Sequence, residues 1–189
     1  MGGYVKMRWR PAVGINGLDP EWTGTMKIST PHFAILGDGR LARHMRHYFD
    51  LLGLPCSGWS RRGKSSFNSH SSSSAAERLD LTVAPASHVL LLVRDGAIAQ
   101  VVDEYPFLRE RTLVHCSGAL NVPGVAGAHP LMTFGEALYS LERYREIPFA
   151  VESPWRFTDL LPGLSNPHWS VAPDQKPLYH ALCVMAGNF

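Results

Sequence analysis

Cysteine is scarce in this chain of 189 residues: Cys56, Cys116 and Cys183 are the only three. An odd number at wide spacing supplies no disulfide framework and fits reduced thiols in a cytoplasmic setting. Long apolar runs are lacking as well. None nears the length of a bilayer span, and the N-terminus has no apolar signal-peptide core, so no membrane partner is expected. Charge of one sign is thin, with a net +2 and no basic helix or stripe, which excludes nucleic acid as a main partner. Nine histidines occur without a CxxC pair or an HExxH stretch. His44 and His47 stand at helical spacing, but on a face that reads as solvated, so no metal site is expected.

What is present is an apolar share of 45%, ordinary for a folded domain. Residues 1–30 carry no period, scattered Gly, Pro and Trp, and a second methionine, Met26, at what reads as a natural start. They are expected to form an N-terminal extension without ordered structure. From Phe33 onward strand and helix signals alternate through residue 173, the pattern of a parallel sheet with crossover helices. Phe33–Leu36 is a short apolar run suited to a strand buried on both faces. Leu41, Met45, Tyr48, Phe49 and Leu52 then mark a helix, with Arg43, His44, Arg46, His47 and Asp50 on its water side and Gly53 closing it. Further strands are predicted at Pro55–Trp59, His88–Val93, Thr112–Cys116 and Ala126–Leu131, with weaker ones at Phe149–Glu152 and Trp169–Val171. Asp95 is expected to cap the helix through Ile98, Val101, Val102 and Tyr105. Ser153-Pro154 reads as an N-cap followed by proline at the first helical position. The serine-rich stretch through Ser74 is expected to order only with a bound cofactor. Residues 174–189 begin a last helix, from about Pro177.

Chemistry enters at Gly37-Asp38-Gly39-Arg40-Leu41-Ala42, between the first strand and its helix. The first glycine permits a tight turn, the second lets backbone approach a pyrophosphate, and the small third residue lets helix and strand pack closely. Free N–H groups and the positive dipole end of the helix then face the phosphates. Arg40 opposes that dipole unless an anion answers it. The nucleotide is decided at the end of the second strand, about twenty residues on, where an NAD site has Asp or Glu. Here stand Ser60, Arg61 and Arg62. Arginine pairs bidentately with a 2′-phosphate and a carboxylate repels it, which selects NADP(H) and disfavours a methyltransferase.

With those residues in view, the chain resembles the superfamily of 6-phosphogluconate dehydrogenase, ketopantoate reductase and pyrroline-5-carboxylate reductase. It is most similar to an uncharacterised branch of Rossmann-like NADP oxidoreductases. Three segments carry the branch resemblance: His115-Cys116-Ser117-Gly118-Ala119-Leu120, Gly127 through Phe134, and Lys176 through Phe189. The resemblance covers roughly residues 31–189. It implies an α/β Rossmann-type sheet, mostly parallel with helices on both faces, in residues 31–173. It also implies a C-terminal helical domain that completes the cleft and forms a homodimer, here truncated after residues 174–189.

Ligands on such sheets lie outside the carboxyl ends of the strands. Val93 and Arg94 should therefore flank the cofactor, while His115, Cys116, Ser117 and His129 should approach a small-molecule substrate. Reducing a C=O or C=N bond by hydride needs a proton donor, for which Lys176, His180 and Asn188 are the candidates. His180 and Asn188 lie about 80° apart on an ideal helix, and Lys176, before Pro177, is expected just outside it. Lys176 and His180 both stay open as donor. Two functions stay open too: an NADPH-dependent reductase of a small carbonyl or imine compound, inactive if its short form lacks the rest of the cleft, and a non-catalytic NADP(H)-binding module or sensor.

Overall fold

A computed structural model describes residues 4–6, 25–27, 30–61 and 74–188, with backbone alone for 4–6, 25–27 and 187–188. The chain divides into two units, residues 1–30 and 31–189. In the first, strands β1 (Tyr4–Lys6) and β2 (Thr25–Lys27) pair antiparallel, with Val5 opposite Met26. Order was not expected there. Three-residue strands are too short to leave a period that sequence reading can find. The serine-rich stretch before Ser74 and Arg62 lie outside the described residues.

The second unit is a seven-stranded sheet in the order β4-β3-β5-β6-β7-β8-β9. Its elements are β3 (Phe33–Leu36), α1 (Arg40–Leu51), β4 (Cys56–Trp59), α2 (Ala75–Val83), β5 (His88–Leu91), α3 (Ile98–Glu104), β6 (Thr112–His115), β7 (Ala126–Pro130), α4 (Leu141–Glu146), β8 (Phe149–Glu152), α5 (Phe157–Leu160), β9 (His168–Val171) and α6 (Lys176–Asn188). β4, β3, β5, β6 and β7 run parallel. β8 turns antiparallel to β7, and β9 follows β8 in parallel.

The continuous apolar runs explain the centre of the sheet. β3 is buried along its whole length, Phe33 and Ile35 in one core and Ala34 and Leu36 in the other. The first core takes Met45, Tyr48 and Phe49 of α1, Tyr144 of α4 and Phe157 of α5. The second takes Leu79 and Val83 of α2 with Ile98, Val101 and Val102 of α3. Helices thus cover both faces, as a parallel sheet requires. The register sets Trp59, Leu36, Leu91, His115 and Gly127 in one row, so the loops that follow β4, β3, β5 and β6 leave a common edge.

Several local expectations are corrected. His44 is not on a wet face: it is 1% exposed, with Nδ1 2.8 Å from the Tyr144 hydroxyl and Nε2 3.0 Å from the Gly135 carbonyl. Residues 135–144 fold back over α1, a tertiary contact that helical period cannot reveal. Arg46 is also drawn in, donating to the Gly37 carbonyl at 2.6 Å. Asp95 does not cap α3; it opens a 3-10 turn over Asp95–Ala97 and accepts the Ser117 hydroxyl instead. Ser153-Pro154 is a cis peptide in a turn, and α5 starts later, with Arg156 in the capping position. Lys176 is the first residue of α6 rather than outside it, because the Pro173–Gln175 turn runs directly into the helix. α2 was not foreseen, although Ser74 and Glu77 close a reciprocal capping box at its start.

Candidate nucleotide and substrate site

The turn between β3 and α1 is built on two glycines with different surroundings. Gly37 has φ 137°, and a β-carbon there would lie 2.8 Å from the Leu92 carbonyl carbon and closer still to its oxygen. Its N–H donates to the Trp59 carbonyl at 2.8 Å, tying the turn to the neighbouring strand. Gly39, in the N-capping position of α1, has φ −72°, and a β-carbon there would meet nothing within 4 Å. Asp38, Gly39 and Arg40 are exposed and Leu41 half-buried, while Ala42 is fully buried against the sheet. No side chain caps α1, so its first N–H groups face the open side of the turn. A diphosphate fits this geometry: amides and a dipole end, with no side chain in the way.

Ser60 follows β4, and its buried Oγ has no hydrogen-bond partner among the described residues. Arg61 is exposed, and its Nη2 donates to Glu104 Oε2 at 2.8 Å. Val93 is half-buried, and Arg94 is exposed at the start of the Asp95–Ala97 turn.

The loops after β6 and β7 meet α6. Ser117 donates to Asp95 Oδ2 at 2.6 Å and accepts from the Ala119 and Leu120 amides at 3.3 and 3.1 Å. Its hydroxyl therefore pins its own loop to the one after β5. His115 is 0% exposed and accepts the Ser117 N–H on Nδ1 at 3.1 Å, so the neutral ring carries its proton on the buried Nε2, which has no partner among the described residues. Burial, helped by the Lys176 ammonium, holds the His115 ring down to about 4. His129 is likewise held to about 4, by burial and then by His180 and Lys176, and its Nδ1 meets the Tyr179 hydroxyl at 2.9 Å. Burial pushes the Cys116 thiol up to about 12, which leaves it a poor nucleophile.

Lys176 is 4% exposed and donates to Glu152 Oε2 at 2.5 Å and to the Leu120 carbonyl. A β-carbon on Gly127 would come within 2.6 Å of that ammonium and 2.8 Å of Glu152 Oε2, so a larger residue there would push the pair aside. His180 packs so closely on Gly118 that a β-carbon there would collide with its Nδ1, which is buried and has no partner among the described residues. Ser117, His129 and Lys176 line one enclosed cavity with Glu152 and Tyr179; its 10 Å³ is on the order of a single water. The side chain of Asn188 lies outside the described residues.

Glu152 and Tyr179 are the partners that sequence reading did not assign; Asp95 was read as a helix cap, and its bond to Ser117 was not foreseen. Glu152 had one usable signal: a lone carboxylate at the carboxyl end of an otherwise apolar strand.

No family model matches the chain, and no curated protein matches its sequence. Solved structures do match its fold. A Thermotoga maritima protein is 25% identical, with a TM-score of 0.56 over 83% of this chain and 64% of its own. Pyrroline carboxylate reductase from Plasmodium falciparum, with NADP bound, is 12% identical at a TM-score of 0.55, covering 84% of this chain and 64% of its own. Reductive aminase from Aspergillus terreus, in complex with NADPH and ethyl levulinate, is 12% identical at 0.53, covering 84% and 61%. The chain therefore spans less than two thirds of the length of these proteins. Residues 31–189 carry the α/β Rossmann-type fold that these solved structures share.

Proposed function

We propose that the chain binds NADPH across the β3–α1 turn and serves as a reductase of a small carbonyl or imine compound. The observation that carries the reading is the pair of glycines. Gly37 is locked against Leu92, and Gly39 opens onto empty space at the start of α1. In this reading Gly37, Asp38, Gly39, Arg40 and Leu41 hold the diphosphate, and Ser60, Arg61 and Arg62 receive the 2′-phosphate. Val93 and Arg94 flank the nucleotide. When bound, the nicotinamide supplies hydride to the acceptor carbon.

The chain's own part is to orient the acceptor and deliver a proton. His115, Cys116, Ser117 and His129 sit around the acceptor, with Ser117 held by Asp95. Of the proposed donors, His180 is favoured. Its Nδ1 has no partner among the described residues and abuts the Gly118 loop, whereas Lys176 is committed to Glu152 and Leu120. Asn188 is proposed to serve from the same helix.

A second reading, a non-catalytic NADP(H)-binding module, draws support from the small size of the cavity beside Ser117, His129 and Lys176. A space of 10 Å³ holds no carbonyl substrate.

Titration of NADPH and NADH against the wild type and Arg61→Ala tests the nucleotide site. Loss of one charge-assisted contact should weaken NADPH about tenfold or more and leave NADH little changed. Equal or absent binding of both nucleotides ends the reading. Single-turnover oxidation of bound NADPH by small imines and ketones then separates reductase from module.

A further inference from the structure

The Arg61 that would receive the 2′-phosphate is already occupied by a carboxylate of the same chain. Glu104 is the last residue of α3, and its Oε2 lies 2.8 Å from Arg61 Nη2. The two side chains keep 54% and 43% of their surface in water, so the pair is weak and exchangeable. The neighbouring Tyr105 phenol is pushed up, chiefly by Glu104 and then by burial. The Tyr105 ring packs edge-on to Trp59 at 6.1 Å, and Trp59 immediately precedes Ser60 and Arg61. The end of α3 thus lies beside the end of β4, with the Glu104 carboxylate within hydrogen-bond reach of the guanidinium.

Resting on the NADPH reading above, we infer that Glu104 is a specificity-determining residue: an internal anion that competes with the 2′-phosphate for Arg61 and weakens the preference for NADPH over NADH. A 2′-phosphate must either displace Glu104 or share Arg61 with it at close range, where like charges repel. A nucleotide with a free 2′-hydroxyl makes no such demand. Removing the negative charge should therefore help one nucleotide and not the other.

The test uses the full chain with NADPH and NADH as probes and dissociation constants as readout. Glu104→Gln keeps the size of the side chain and should tighten NADPH about three- to tenfold while moving NADH less than about twofold. The gain should shrink as salt rises, because both groups are partly solvated. Unchanged or weaker NADPH binding in Glu104→Gln, or an equal shift in both nucleotides, overturns the inference while the nucleotide site stands. A wild type that binds neither nucleotide removes the site itself, and this inference with it.

Discussion

Gly37 and Leu92 meet backbone to backbone: a β-carbon on the glycine would sit 2.8 Å from the leucine carbonyl carbon. Leu92 leaves β5 just where Gly37 leaves β3, and its N–H donates to the Leu36 carbonyl at 2.8 Å. The contact joins two adjacent strand ends and bends the chain toward α1 at φ 137°. Two residues on, Gly39 has an ordinary φ of −72° and no neighbour at its β position. One glycine is therefore required by folding. The other is required only if something approaches from outside.

Alanine at each position separates these roles. Gly37→Ala should be strongly destabilised, because its β-carbon overlaps backbone that cannot yield. Gly39→Ala should fold with a change of no more than about 1 kcal/mol, the scale of a lost glycine N-cap. Its methyl group would stand where the diphosphate is proposed to lie, so NADPH should weaken about tenfold or more. Thermal melts and nucleotide titration on the two variants give both numbers. Wild-type affinity in Gly39→Ala would show that the phosphates bind elsewhere.

The central strands and this turn were legible because they rest on local rules. A run such as Phe33–Leu36 can be buried only between two layers, and glycine spacing reports a backbone demand. The candidate cleft was legible only in part. His115, Ser117 and His129 stood out as residue types at strand ends and Lys176 as one at the start of the last helix, yet their roles depend on partners distant in sequence. Ser117 is spent on Asp95, Lys176 on Glu152 and the Leu120 carbonyl, and His129 on Tyr179. His44 makes the same point from the other side. Its position on α1 reads as solvent-facing by period, and only the returning 135–144 segment buries it. Period sees the helix itself; it cannot see what comes back to cover it.

Lys176 and Glu152 form a buried ion pair, 4% and 7% exposed, that fastens α6 to the end of β8. Deleting one partner strands the other's charge in a site sealed from water. Lys176→Met should therefore cost about 3–5 kcal/mol, and Glu152→Gln less, since the amide can still accept from the ammonium. The double variant Lys176→Met/Glu152→Leu should recover much of the loss, because no uncompensated charge remains. Denaturant melts of the single and double variants measure the coupling. Additive losses would mean that the two side chains do not depend on each other, and Lys176 would return as a free proton donor.

His115 and His129 should make the fold acid-sensitive. Both rings are held to about 4, well below the ordinary 6.5, so the unfolded chain takes up protons that the folded chain refuses between those values. Stability then rises with pH through this window. The contribution is complete above about 6.5 and is lost as the solution is acidified toward 4. For His115 alone it amounts to about 3 kcal/mol at most. Melting temperatures from pH 4 to 8 should fall on the acid side, and His115→Asn, which keeps an acceptor for the Ser117 amide, should flatten the slope. The same shift bears on chemistry. At neutral pH neither ring carries the extra proton, so neither can act as a general acid, and a reductase profile should show no step from them near 6.5. A step at that pH that disappears in His129→Gln would contradict the burial of that ring and make it, rather than His180, the group that gives up the proton.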